Sequence, residues 1–410
     1  MVEGSPRRRN SRTIDDISRD LFEGESTEPL GYGLGVSPDK VHGADMPQPA
    51  SLRSIPGPTL AYSRGDTPLP ARARDYPELR YMGSKQRLLP WIHDILHELD
   101  FNSVLDPFSG GGCVGYLLKA MNKRVVASDF LNFPKEFAKA TIENNGHHLD
   151  GPAIKTLLRA GRSKNQGFVE RTFSGIFYKP SDLRFIDRIS MNIPKLADEY
   201  QQSIARAALL RSCLKRQPRG VFTVSGNLAK YDDGRRDLRL SIEEHFLEQI
   251  EVFNSVVFDN GKRNFALRND VFAGRTENID LVYLDPPYVP RSDDNCYIKR
   301  YHFLEGLSCN WEGLEIDYDT KVRKIAKRYT PFSYRRTAID AFERMFHKFR
   351  NQIVVMSYSS NGFPELDVLV ALLERQKKKI TVHKRPHRYH FGTHAAVSRA
   401  IVDEYLIVGE

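Results

Sequence analysis

Asp285-Pro286-Pro287-Tyr288 closes the apolar run Asp280–Leu284 and sets an acid, two prolines and a phenol at one point of the chain. Two successive prolines stiffen the turn and remove two backbone donors, so carbonyl oxygens are what the turn offers a ligand. A carboxylate, a proline carbonyl and an aromatic face suit a planar base that carries an exocyclic amine. The two oxygens each accept one amino hydrogen while the ring stacks. The plain alternative is a rigid strand-to-loop turn with no ligand.

Two further motifs lie upstream. Asp106-Pro107-Phe108-Ser109-Gly110-Gly111-Gly112-Cys113-Val114-Gly115 follows a short apolar run, Ser103–Asp106, and opens a helical stretch. Its glycines let the backbone turn sharply and approach a ligand. The spacing is neither the GxGxxG of dinucleotide binders nor that of a phosphate loop ending in Gly-Lys-Ser/Thr. Asp129 ends the next apolar run, about 20 positions on, where a carboxylate can accept both hydroxyls of a ribose. A helix N-cap is its alternative use, since Pro134 and a helical stretch follow. These two motifs imply a nucleoside-bearing cofactor without separating NAD from S-adenosylmethionine; the Asp-Pro-Pro-Tyr turn favours the second.

The surrounding pattern supplies elements that can hold these motifs. Residues 84–98 carry a helical stripe, with Pro90 near its first turn. A strand at 103–106, a helix at about 114–121 and a strand at 125–128 form half of a doubly wound parallel sheet. Strands resume at Phe265–Val271, Ile279–Leu284 and Ile353–Tyr358. A helix near 364–376 and a strand pair at about 379–383 and 398–408 close the chain. Residues 1–75 hold 9 Pro, 8 Gly and 8 Ser with few periodic apolar positions, which reads as a disordered or loosely ordered tail. The expected organisation is this tail, a first part of the α/β domain at 76–150, an insertion at 151–262, and a second part at 263–410.

Charge separates the insertion from the rest. Residues 151–269 carry 21 Lys and Arg against 13 Asp and Glu, whereas the tail is nearly balanced. Such concentration is the footprint of a polyanion-binding surface, although basic residues also solvate ordinary helices. The four cysteines, Cys113, Cys213, Cys296 and Cys309, form no CxxC pair, which argues against a zinc ribbon or disulfide scaffold and fits a reducing cytosol. His383, His387, His390 and His394 have suggestive spacings but no nearby cysteine, and no metal is expected. No apolar run approaches the ~20 residues of a membrane span. No apolar stretch follows Pro6-Arg7-Arg8-Arg9, so no secretory signal is expected.

On these motifs the chain resembles the Dam-like, alpha-class DNA adenine N6-methyltransferases, from about residue 78 to the C-terminus. Arg80-Tyr81-Met82-Gly83-Ser84-Lys85 looks like that family's N-terminal cofactor motif, and the order of cofactor motifs, insertion and Asp-Pro-Pro-Tyr is the alpha-class order. The resemblance implies a Rossmann-like methyltransferase sheet with an inserted, mainly helical DNA-recognition region. It implies that Tyr81, Lys85, Asp106, Phe108, Gly110, Gly112, Asp129, Asp270 and Asp285 bind S-adenosylmethionine. It implies that Asp285, Pro286, Pro287 and Tyr288 form the catalytic turn for adenine N6 in double-stranded DNA. The family's usual Phe-Asn-Val-Pro-type stretch is only approximated, by Gly220–Asn227, which bears on the target sequence more than on the reaction.

Within the insertion, Arg216, Arg219, Lys230, Arg235, Arg236 and Arg239 are the expected nucleic-acid contacts, with Tyr231 nearby. Tyr301 and Phe303 are expected either to wall a base pocket or to pack in the core. A cytoplasmic, bacterial or phage-encoded restriction–modification enzyme with a cognate endonuclease is the context the family implies. Cytosine N4, RNA or a protein glutamine are rival acceptors. A catalytically silent DNA-binding subunit is the rival of another class, and a Rossmann oxidoreductase is disfavoured by the glycine spacing.

Overall fold

The computed structural model describes residues 59–61, 67–160, 167–218, 220–223, 232–290, 297–388 and 401–410. Twelve strands lie among them: β1 (Thr59–Ala61), β2 (Ser103–Asp106), β3 (Arg124–Asp129), β4 (Phe265–Arg268), β5 (Leu281–Leu284), β6 (Val289–Pro290), β7 (Ile316–Asp317), β8 (Lys324–Ile325), β9 (Ile353–Ser359), β10 (Gly362–Phe363), β11 (Ile380–Arg388) and β12 (Ile401–Gly409). Eight form one sheet in the order β1-β11-β12-β9-β5-β2-β3-β4. From β9 through β5, β2 and β3 to β4 every pairing is parallel. β12 runs antiparallel to both β9 and β11.

Alternation of side chains explains why these short runs become central strands. Leu281 and Tyr283 feed the core on one face of the sheet, while Val282 and Leu284 feed the core on the other. Val355 and its neighbours Val354 and Met356 divide the same way. Asp280 fixes the approach of β5 to β2, because its carboxylate accepts the Asn102 and Ser103 backbone amides, both at 2.8 Å.

The helices are α1 (Ala71–Asp75), α2 (Leu89–His97), α3 (Cys113–Ala120), α4 (Asn132–Ala138), α5 (Gly151–Leu158), α6 (Phe168–Phe173), α7 (Pro180–Asn192), α8 (Glu199–Arg216), α9 (Arg236–Arg239), α10 (Ile242–Ser255), α11 (Tyr297–Ser308), α12 (Arg335–Lys348) and α13 (Leu366–Glu374). Pro90 sits in the first turn of α2, where no donor is missed. Between β3 and β4 the chain is helical throughout its described elements, α4 to α10. Asp198 caps α8 through Tyr200 and Gln201, and a Ser241/Glu244 capping box starts α10. These helices share one hydrophobic core with the sheet: Ile186, Leu210 and Phe246 belong to the cluster that contains Val104 and Ala127.

Two short elements are described within residues 1–75. β1 pairs in parallel with β11 and α1 precedes Tyr76, so regular structure begins before residue 76. Of the four spaced histidines, His383 and His387 lie on β11, and His390 and His394 lie outside the described residues. Among the described residues no helix is long and apolar enough to cross a membrane.

Candidate active site

The chain runs from β2 to β3 on one side and returns to β5 on the other, so the order reverses between β2 and β5. A crevice at the carboxyl ends of strands at such a reversal is where open α/β sheets bind ligands. Asp106 ends β2, Asp129 ends β3 and Asp285 follows β5, and all three line one cleft. Tyr81, Lys85, Phe108, Gly110, Asp270 and Pro287 line it as well.

An ion pair organises the catalytic end. Lys85 Nζ lies 2.8 Å from Asp285 Oδ1 and also donates to the Gly83 carbonyl at 3.0 Å. Lys85 is buried and Asp285 is half-buried. Burial pushes the Asp285 carboxyl above its ordinary range, and the adjacent ammonium pulls it back down. Asp106 is buried and carries a pKa well above the usual range, raised by desolvation and then by the nearby Asp285 charge. The Cys113 thiol is pushed up to about 11 by burial, so it is protonated at neutral pH and is no nucleophile.

At the other end Asp129 accepts the Gly110 and Leu131 amides, each at 2.9 Å. Burial raises its carboxyl to about 6 even though those amides oppose the shift. An ionised carboxylate has about four acceptor directions, so two backbone bonds leave capacity for a ligand. Leu131, not Asp129, occupies the N-cap position of α4, whose first amide bonds Glu305 of α11 at 2.8 Å.

The glycine turn serves two separate contacts. Gly110 has φ +49°, and a Cβ there would meet the Tyr81 ring at 2.9 Å. Its missing side chain is what lets Tyr81 close over the turn. Gly112, at φ +80°, faces away from the cleft: a Cβ would strike the Tyr76 hydroxyl at 2.6 Å. That hydroxyl donates to the Gly111 carbonyl, so Gly112 shapes the turn and Gly111 lines the cleft. At the aromatic end Phe332 packs edge-on to Phe108 and parallel to Phe272, whose amide is held by Asp270 at 2.8 Å.

Tyr288 leaves the turn toward β9. Its ring meets Tyr358 edge-on at 5.4 Å, and β6, directly after it, pairs with β10. Pro286 is buried beneath the turn. Tyr301 and Phe303 take the second of their two expected places: both are fully buried, Tyr301 accepts the Met82 amide at 2.7 Å, and Phe303 packs against Phe222. The aromatic that reaches the cleft is Tyr297, one helical turn earlier, stacked on Tyr81 at 5.5 Å. Spacing alone links Tyr297 to Tyr301 on one helix face, a signal available in the sequence. Arg328, Thr330, Pro331 and Phe332 also line the cleft, and no motif announces them.

The basic residues of the insertion are less uniform than their charge suggests. Arg235 pairs with Asp233 through Nε at 2.7 Å and donates from Nη2 to the Pro218 carbonyl, and Arg236 pairs with Glu248. Arg80 and Lys215 both pair with Asp237, at 2.7 and 2.9 Å. Arg239 is exposed and Arg216 is half-buried at the end of α8. Arg219, Lys230 and Tyr231 lie outside the described residues.

A doubly wound sheet thus gathers a glycine turn, the Asp129 carboxyl and the Asp-Pro-Pro-Tyr turn at its strand ends, where sheets of this class bind their ligands. The match to known proteins narrows this further. Residues 81–356 match the family described as D12 class N6 adenine-specific DNA methyltransferase, and the chain belongs to that family. It is similar to a type II methyltransferase, M2.HphI, of Haemophilus parahaemolyticus, 29% identical over 77% of this chain and 92% of that protein. The modification methylase LlaI of Lactococcus lactis subsp. lactis is 25% identical over 72% of this chain and 49% of its own length. The type II methyltransferase M.NlaIII of Neisseria lactamica is 22% identical over 76% of this chain and 92% of its own. The chain is thus an adenine-specific DNA methyltransferase, and its family uses S-adenosylmethionine in general.

Proposed function

We propose that the chain holds S-adenosylmethionine between Tyr81, Asp106, Gly110 and Asp129, and that Asp285, Pro286 and Tyr288 present the adenine amine to it. The observation that carries this reading is the sign of the cleft. Three carboxylates, Asp129, Asp270 and Asp285, line it with Lys85 and Arg328, beside the Asp106 carboxyl, which burial holds well above the usual range. A cofactor bearing a sulfonium and an ammonium fits such a lining, whereas the pyrophosphate of a dinucleotide would be repelled. Asp129, steadied by two amides, accepts the ribose hydroxyls.

When bound, S-adenosylmethionine supplies a methyl group activated by positive sulfur. The chain's own work is positioning, which contributes about 7–11 kcal/mol in well-aligned transfers. Asp285 and the Pro286 carbonyl accept the two amine hydrogens and draw the nitrogen lone pair out of the ring plane. Lys85 keeps the Asp285 carboxylate ionised and fixed for that task. Tyr288 stacks on the base, which must leave the duplex to be reached.

Residues 151–262 act as the target-recognition region, with Arg216, Arg219, Lys230, Arg235, Arg236 and Arg239 as DNA contacts. The type II names of the relatives support a cytoplasmic restriction–modification role beside a cognate endonuclease. Labelled-methyl transfer to duplex DNA, followed by nucleoside digestion, tests the reading: label on N6-methyl-2′-deoxyadenosine carries it. Label on cytosine, RNA or protein overturns it.

A further inference from the structure

A second basic run lies outside the insertion, on the opposite side of the Asp-Pro-Pro-Tyr turn in sequence. Seven of the sixteen residues from Lys321 to Arg336 are Lys or Arg, and none is acidic. Tyr329 and Tyr334 are exposed within it, their rings 5.1 Å apart. The run does not wander over a remote surface. Arg328, Thr330, Pro331, Phe332 and Ser333 line the cleft itself. Immediately after them, Arg335 lies over the Phe363 ring at 4.4 Å. Phe363 is the strand partner of Val289, the residue that follows Tyr288. The run therefore borders the cleft from its aromatic end to the catalytic turn.

Its charge differs in kind from that of the insertion. Arg335 and Arg336 make no ion pair among the described residues; each rests on an aromatic ring, Arg336 on Tyr334 at 5.7 Å. A ring orients a guanidinium and leaves its charge intact. Both arginines also open α12, whose first turn holds no acid and where the helix dipole disfavours cations. They cost the fold stability there, which points to a partner outside the chain. Exposed basic side chains interleaved with tyrosines match a nucleic-acid backbone.

We infer that residues 327–336 form a second DNA-binding rim, which grips phosphates flanking the extruded adenine independently of the insertion. The inference rests on the DNA methyltransferase reading and extends it to a surface that no motif marks. The rim holds the strand at the cleft mouth, and Tyr329 and Tyr334 face the backbone beside it.

The test is binding of a duplex by fluorescence anisotropy across a sodium chloride titration, with wild type, Arg335→Ala/Arg336→Ala and Arg335→Lys/Arg336→Lys. Each lost phosphate contact lowers the slope of log affinity against log salt by about 0.9, so the alanine pair loses about 1.8 and the lysine pair keeps it. S-adenosylmethionine binding, read by calorimetry, stays at the wild-type value in both, which shows an intact fold. An unchanged slope in the alanine pair overturns the rim. So does loss of cofactor binding in both pairs, which would assign the arginines to the fold. Methyl transfer by the wild type to an acceptor other than adenine would sink the adenine reading, while the slope would still judge the rim.

Discussion

The cleft and the inserted helices are both rich in charged residues, yet they use charge in opposite ways. In the cleft, charged groups are wholly or partly buried and held in place: one ammonium, Lys85, meets Asp285 at 2.8 Å, and Asp129 is held by two amides. In the insertion, Arg235, Arg236 and Lys215 are each met by an acid of the same region. Low effective dielectric makes each cleft contact consequential, whereas exposed pairs contribute little and exchange readily with solvent. Single changes in the cleft should therefore act steeply and locally, and single changes in the insertion shallowly.

The largest effect is expected from Asp285→Ala. The amine loses its ionic acceptor and Lys85 loses its partner, so kcat falls by about 10³-fold, the scale of a lost preorganised hydrogen-bonding group. S-adenosylmethionine binding should remain measurable by calorimetry, since the proposed ribose acceptor, Asp129, lies outside this turn. Near-normal turnover would show that the carboxylate is structural.

Lys85→Gln is the next largest and is read by its pH profile. Burial raises the Asp285 pKa and Lys85 lowers it. Removing the ammonium leaves only the upward push, so the ionised fraction at neutral pH drops. The acid limb of the kcat/KM profile then moves to higher pH, and part of the lost activity returns under alkaline conditions. A uniform loss with an unmoved limb would reduce Lys85 to a packing role.

Asp129→Asn sharpens the contrast at the ribose end. The carboxyl titrates at about 6, so the wild-type protein gains a full acceptor as pH rises through that value. Cofactor affinity measured by calorimetry should tighten across pH 5 to 7, by about tenfold for a hydrogen bond to a charged group. The asparagine variant should bind weakly with a flat profile. The linkage to folding has the other sign: a raised native pKa makes the native state gain stability as pH falls through about 6 toward the unfolded value.

What the sequence discloses follows the same division. Asp106, Asp129 and Asp285 are legible because strand, turn and acid are contiguous, and backbone geometry alone brings strand ends together. The helices 180–192 and 199–216 form for a similarly local reason, although the helical character of the insertion is read above only from the family resemblance. That a Cβ at Gly110 would meet Tyr81 and one at Gly112 would meet Tyr76 is not legible in the glycine pattern, because the spacing does not say what each glycine packs against. Tyr297 and Phe332 reach the cleft from segments that only tertiary packing brings there. Ion pairing within the insertion is invisible to a charge count, since Arg236 and Glu248 are separated by a cap and most of two helical turns.

That last point yields the smallest and most discriminating expectation. Arg236 and Arg239 occupy the same short helix, and both are exposed. Arg236 is engaged by Glu248, so a phosphate that recruits it must displace a carboxylate. Its net contribution to DNA affinity is then a difference between two similar attractions. Arg239 has no ion pair among the described residues and gives up only solvent on meeting a phosphate. Arg239→Ala should lower the salt slope of duplex binding by up to about 0.9, and Arg236→Ala by distinctly less. Glu248→Gln should restore Arg236 to the slope of a free arginine by removing its competitor. Equal slopes for the two alanine variants, with no response to Glu248→Gln, would mean that pairing inside the insertion does not decide which cations meet DNA.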